Sequence, residues 1–304
     1  MEFCSMRYGY FLTEPRGSDP IGELRDQITQ AAESGFTSAW LSHIFGLDAL
    51  TALAAAGAGG PAIELGTAVV ATYPRHPAAL AQQAMTANAA LGGRLTLGIG
   101  LSHRIVIENM YGYGFDRPLR HMREYLDVLI PAGRGEQVKY AGETVKADLR
   151  LTGPGGGFPV LVAALGPRML GLAGAVADGT VLWMTGPKTV AEHVVPTIRA
   201  AAAEAGREPP RVVCALPVCV TDDPAAAVAR ANEVFSVYGQ LPSYRAMLDR
   251  EGAANPGDVA IVGDEETVLA RIAELEQAGV TDFVGSVFSG RERTQALLNG
   301  LAKG

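Results

Sequence analysis

Three of the five histidines stand directly behind apolar runs: His43 after SAWLS, His76 after the stretch ending VVATYPR, and His103 after LTLGIGLS. An imidazole with a pKa of about 6.5 can give or accept a proton near neutral pH, so side chains placed this way suit general acid–base work. His43 is the first candidate for such a catalytic role and His103 the second, with Glu14, behind RYGYFLT, the third. Serines precede two of the histidines, at Ser42 and Ser102, and Thr72 closes the run before Arg75-His76. Gly98 and Gly100 lie just before His103, where missing side chains would let a flat ligand approach the backbone.

Each of these residues also has a purely structural reading. His43 could cap a loop, and Arg75-His76-Pro77 could simply start a helix with proline at its first position, leaving Arg75 a solvated charge. Trp183, at the end of the run GTVLW, is either core or the wall of a ligand site. ALGPRMLGLAG, residues 164–174, opens a helix whose free amides, with Arg168 nearby, could hold an anion, the other reading being an ordinary glycine–proline turn. GIGLSH matches a dinucleotide-binding glycine pattern only in part, and the sequence contains neither a phosphate-binding Walker loop nor a G-x-S-x-G elbow. Clustered metal ligands are likewise missing from the first strand, RYGYFL, and no metal is expected.

The elements that would position these groups repeat one pattern: amphipathic helix, glycine, apolar strand. Gly35, Gly206 and Gly279 read as helix stops, because glycine adopts the left-handed backbone that closes a helix without a Cβ penalty. Before Gly279, Asp264 can cap a helix whose Val268, Ile272 and Leu275 share one face. Strands are expected at 7–12, 38–42, 64–71, 95–99, 159–163, 179–183, 212–220 and 282–287. These eight runs are almost continuously apolar, as strands of a parallel sheet covered on both faces should be. The pattern predicts an α/β fold of the (β/α)8 TIM-barrel type, with a doubly wound sheet as competitor. The chain reads as one domain over 1–304, with a hairpin-like insertion at about 137–157 and an extra helical segment at about 240–256. In a barrel the loops after the strands form the mouth, which is where the histidines would meet.

With 48% hydrophobic and 19% charged residues, the chain can bury a large core. A net charge of -7 argues against a nucleic-acid partner and favours a small-molecule substrate. Cys4, Cys214 and Cys219 do not form a disulfide framework, no signal peptide is evident, and the Ala/Gly-rich stretch 49–71 is broken by Pro61 and Glu64. A cytoplasmic protein without a membrane span is therefore expected, with Met6 an alternative start that would make MEFCS a short extension.

The segment ELGTAVVATYPRHPAALAQQAMTANAALGGRLTLGIGLSH resembles the luciferase-like monooxygenase superfamily, in particular its branch that uses the deazaflavin coenzyme F420. YGFDRPLRHMREYLDVL, PVLVAALGPRMLGLAGAVADG and IVGDEETVLARIAELEQAGVTDF extend the likeness over nearly the whole chain. The resemblance implies a barrel holding an isoalloxazine-like ring in its mouth. It implies that Ser42 and His43 approach the reactive ring carbon, that Ala68-Val69 forms a non-prolyl cis peptide backing the ring, and that Thr72 lies beside it. It further implies that Gly100, Leu101, Ser102 and His103 line the cofactor, and that Ala164, Leu165, Gly166 and Pro167, followed by Arg168, contact its phosphate. Some deazaflavin dehydrogenases of this type carry glutamate where this chain has His103 and an aromatic residue where it has Leu47, so a sugar-phosphate substrate is not inherited. The expected activity is F420-dependent hydride transfer to a small organic substrate carrying a polarised C=C, C=N or C=O bond. An FMN-dependent monooxygenase and a non-catalytic cofactor-binding barrel are the alternatives. The resemblance also implies a homodimer.

Overall fold

Gly35, Gly206 and Gly279 take φ values of 90°, 67° and 95° immediately after helices Pro20–Glu33, Val195–Glu204 and Glu265–Gln277, as the helix–glycine–strand pattern requires. The computed structural model describes residues 6–154 and 156–304, so the extension 1–5 with Cys4 lies outside the described residues. Its strands are β1 (Arg7–Phe11), β2 (Ser38–Leu41), β3 (Glu64–Thr67), β4 (Val70–Ala71), β5 (Leu95–Gly100), β6 (Gln137–Ala141), β7 (Lys146–Arg150), β8 (Val160–Val162), β9 (Gly179–Trp183), β10 (Arg211–Val220), β11 (Ile261–Gly263) and β12 (Asp282–Val287). Strands β1, β2, β3, β5, β8, β9, β10 and β12 pair in parallel in that order, and β12 pairs back onto β1 to close a (β/α)8 barrel.

The lumen is filled by Trp40 from β2, which donates its indole N–H to Ser38 Oγ at 2.9 Å. Room for the indole comes from two strand glycines: a Cβ at Gly66 would lie 2.3 Å from the ring, and one at Gly9 would lie 3.2 Å from it. Leu161, Val181, Val213, Ala215 and Val284 pack around Trp40. The strand starts hold an ion-pair network in which Asp282 accepts from Arg7 and from Arg211 (2.8 Å), while Glu64 accepts from Arg7 (3.3 Å), Arg211 (3.0 Å) and Thr96 (2.8 Å).

One departure from the expected strands concerns the mouth. The run expected at 64–71 is split, because the Ala68–Val69 peptide is cis and divides β3 from β4. At the break the Thr67 hydroxyl accepts from Gly98 N (2.9 Å) and donates to Gly98 O (2.8 Å), replacing ladder bonds. A Cβ at Gly98 would sit 2.0 Å from Thr67 O and one at Gly100 2.7 Å from a Val69 methyl, so the bulge itself requires glycine at both positions.

The insertion is the antiparallel β6–β7 hairpin, and Glu124 on helix Pro118–Gly133 tethers its turn through the amides of Glu143 (3.1 Å), Thr144 (2.6 Å) and Val145 (3.0 Å). The extra helical segment begins earlier than expected, with helices Ser236–Gln240 and Pro242–Glu251. It leads to β11, a short strand absent from the sequence reading, which extends the sheet beyond the barrel by pairing with the end of β10. No helix among the described residues is long and apolar enough to cross a membrane.

Candidate active site at the barrel mouth

The strand ends converge on an apolar floor above the lumen, made by Phe11, Ala68, Val69 and Trp183, all half-buried and packed on the Trp40 cluster. The Phe11 and Trp183 rings lie 5.9 Å apart. Trp183 thus belongs to the mouth, and its enclosed indole N–H has no well-formed hydrogen bond, the Tyr238 hydroxyl being a polar neighbour. Beside the floor, two strands end in non-glycine residues with left-handed backbone, Ser102 (φ 61°) after β5 and Met184 (φ 53°) after β9. Such conformations are costly for residues with a Cβ and concentrate at functional sites.

His43 follows β2, with its side chain 11% exposed. Its Nδ1 accepts from Ala49 N at 3.1 Å, at the start of helix Ala49–Gly57, and Arg75 Nη1 lies 3.3 Å from its Nε2. Burial pushes its pKa below the ordinary histidine value and the Arg75 cation pushes it further, with Asp48 opposing only in part. Arg75 is no solvated charge: its guanidinium donates to Asp48 Oδ2 at 2.5 Å, and Asp48 Oδ1 also accepts from Gln83 (3.1 Å) and Thr51 N (2.9 Å).

His103 is half-buried behind Ser102, and burial lowers its pKa as well. Its ring lies 5.7 Å from that of Tyr244, which packs 5.0 Å from Tyr238, and Tyr238 and Phe235 in turn flank Trp183 at 5.9 and 5.7 Å. The helical segment after β10 thus lays an aromatic wall across the mouth, from Trp183 to His103. Leu101 and Ser102 share its half-buried level, while Gly100 is enclosed.

The other expected residues divide by exposure. Glu14 is exposed and accepts from Leu47 N at 2.6 Å, pinning the loop after β2 to the loop after β1. Ser42 is half-buried beside His43. Thr72 is fully buried, its hydroxyl 3.0 Å from His121 Nε2. Helix Pro167–Val176 starts at Gly166 without a side-chain cap; Gly166, Pro167 and Arg168 are exposed, Leu165 is half-buried and Ala164 buried. This leaves the first amides of the helix open to an anion. His193 Nε2 donates to Leu165 O at 2.8 Å and steadies that loop. His76 has a structural role, capping helix Pro77–Ala90 through Ala78 N (3.2 Å) and donating to Lys146 O (3.0 Å).

Sequence reasoning missed three features: the Asp48–Arg75 clamp, His121 and the tyrosine wall. His121 lies on the buried face of its helix with Tyr125, and stacks on Tyr73 with ring centroids 4.0 Å apart. Only the fold brings Asp48 and His121 to the loop after β4.

Residues 6–282 match the family model described as luciferase-like monooxygenase. The chain is 28% identical to the 5,10-methylenetetrahydromethanopterin reductase of Methanolobus tindarius, over 92% of this chain and 94% of that protein. The structure superposes on the coenzyme F420-dependent tetrahydromethanopterin reductase from Methanopyrus kandleri with a TM-score of 0.81 at 24% identity, covering 99% of this chain and 98% of that one. It superposes on an F420-dependent secondary alcohol dehydrogenase bound to an F420–acetone adduct with a TM-score of 0.79 at 19% identity, covering 99% and 98%. A closed parallel barrel with its β3–β4 bulge, matched by the family model over most of its length, places this chain in the luciferase-like monooxygenase family.

Proposed function

We propose that the chain is an F420-dependent oxidoreductase that moves a hydride between the deazaflavin C5 and a small organic substrate, in the direction of reducing a C=C, C=N or C=O bond. The observation that carries this reading is the pairing, at one mouth, of a half-buried apolar floor with two imidazoles whose pKa values burial lowers. Similarity along nearly the full chain to a 5,10-methylenetetrahydromethanopterin reductase supports it.

The residues present fit such a cofactor. Phe11, Ala68, Val69 and Trp183 offer an apolar surface for a flat ring, and a Cβ built on Gly166 meets nothing within 4 Å, leaving space for a phosphate before the open helix start. When bound, the deazaflavin supplies a two-electron hydride carrier. The chain's own part is to orient the substrate against the floor, to exclude water with the Trp183–Tyr238–Tyr244 wall, and to donate a hydrogen bond from a neutral imidazole, or a proton from its protonated form, His43 first and His103 second.

Fluorescence titration with oxidised F420 and with FMN tests the reading. Saturable F420 binding, followed by oxidation of reduced F420 on addition of an unsaturated or imine substrate, is expected. Binding of FMN without F420 would replace it with the FMN-dependent monooxygenase reading. A cytoplasmic homodimer belongs to the same proposal, and a solution mass equal to the chain's 31.7 kDa would refute the dimer.

A further inference from the structure

A neutral imidazole has one lone pair to offer, yet His43 faces two donors. Ala49 N–H points at Nδ1 (3.1 Å) and the Arg75 guanidinium at Nε2 (3.3 Å), and arginine has no acceptor to return. The Ala49 amide is fixed at the start of its helix and claims Nδ1, which puts the ring proton on Nε2. Nε2–H and Arg75 Nη1 then stand side by side as donors without an acceptor between them. Arg75 cannot turn away, because Asp48 holds its other terminal nitrogen at 2.5 Å and is itself held by Gln83 and Thr51 N. Protonating the ring would add a third donor beside a cation, in keeping with the lowered pKa of His43. Both side chains keep some exposure, 11% for His43 and 25% for Arg75. Unmade donors converging at a partly open point mark a site built for a ligand oxygen.

We propose that Arg75 and the Nε2–H of His43 form a two-donor seat for a carbonyl, enolate or carboxylate oxygen of the ligand at the mouth, with Asp48 as the residue that positions Arg75. The inference rests on reading the mouth as the ligand site. It assigns Arg75 a binding role and His43 a donor's role at rest, and it favours electron-rich oxygen over cationic groups.

Long-range proton–nitrogen NMR of the ligand-free protein at about pH 7 reads the tautomer directly. A neutral His43 with its proton on Nε2 is expected; an Nδ1–H tautomer or a charged ring would overturn the proposal. Acetate then serves as the probe, and it should shift the His43 Nε2 resonance saturably. Arg75→Gln should weaken that response roughly tenfold or more, the loss of one charge-assisted hydrogen bond, and Arg75→Lys should weaken it less. The Ala49 amide resonance should keep its position in both variants, reporting that the loop is intact. No saturable shift in the unmodified protein, or equal acetate response in Arg75→Gln, would overturn the seat. Neither readout needs a cofactor, so failure of F420 to bind would strike the proposed function and leave this inference standing.

Discussion

His121 links acid stability to the loop behind the mouth, and acidification is the perturbation that isolates it. His121 is 9% exposed, and its ring stacks on Tyr73 at 4.0 Å and pairs with the buried Thr72 hydroxyl. Burial pushes its pKa from 6.5 down to about 4, with Glu124 opposing. In the unfolded chain the same ring takes up its proton near pH 6.5, so between pH 6.5 and about 4 the unfolded state binds more protons and stability falls as pH falls. Above the unfolded value His121 contributes its full share. The fall from 6.5 to about 4, at about 1.4 kcal/mol for each pH unit, makes that share about 3–4 kcal/mol, of which about 3 kcal/mol is lost by pH 4. Urea unfolding of the unmodified protein and of His121→Gln, which does not titrate and can still bond Thr72, measures it. The stability difference between the two should change by about 3 kcal/mol in favour of the variant on going from about pH 7.5 to about pH 4. His43 and His103 titrate in both proteins and cancel. Parallel pH curves would show that His121 is not held neutral by its surroundings and would refute the reasoning.

Three further outcomes are expected. His43→Ala should retain F420 binding by fluorescence while kcat drops at least roughly tenfold, the low end of an acid–base contribution, and unchanged turnover would remove His43 from the chemistry. Gly98→Ala forces a Cβ to within 2.0 Å of the Thr67 carbonyl oxygen, which is backbone and cannot swing aside. It should cost about 1–3 kcal/mol in urea unfolding and weaken F420 binding by displacing the bulge, whereas a variant as stable as the parent would show that the packing there is loose. Asp282→Asn leaves Arg7 and Arg211 facing a neutral group beneath the barrel, where the Asp282 side chain is 1% exposed. A loss of about 3–5 kcal/mol is expected, and a change under about 1 kcal/mol would mean that Glu64 alone satisfies both arginines.

Much of the architecture was legible because it depends on local, repeating physics. Each barrel strand is an apolar run covered on both faces, and the glycine stops at Gly35, Gly206 and Gly279 follow from backbone sterics that act within a few residues. The strand-end positions of His43 and His103 were visible in the same way, and the Ala68–Val69 cis peptide was expected only through family resemblance. The reading failed where a residue's role is set by a neighbour remote in sequence. Gly98 is small because of Thr67 and Val69, Arg75 is ordered by Asp48, and Tyr244 reaches His103 across the mouth from more than a hundred residues away. β11, a strand of only 3 residues, is too short to signal itself and exists because the end of β10 offers an unpaired edge. Periodicity and backbone preference are properties of the chain itself, so the sequence by itself determined the barrel and which residues end its strands. Hydrogen bonding, desolvation and close packing act between groups that only closure of the barrel brings together, so tertiary structure alone decided which imidazoles are neutral, which donors lack partners and what walls the site.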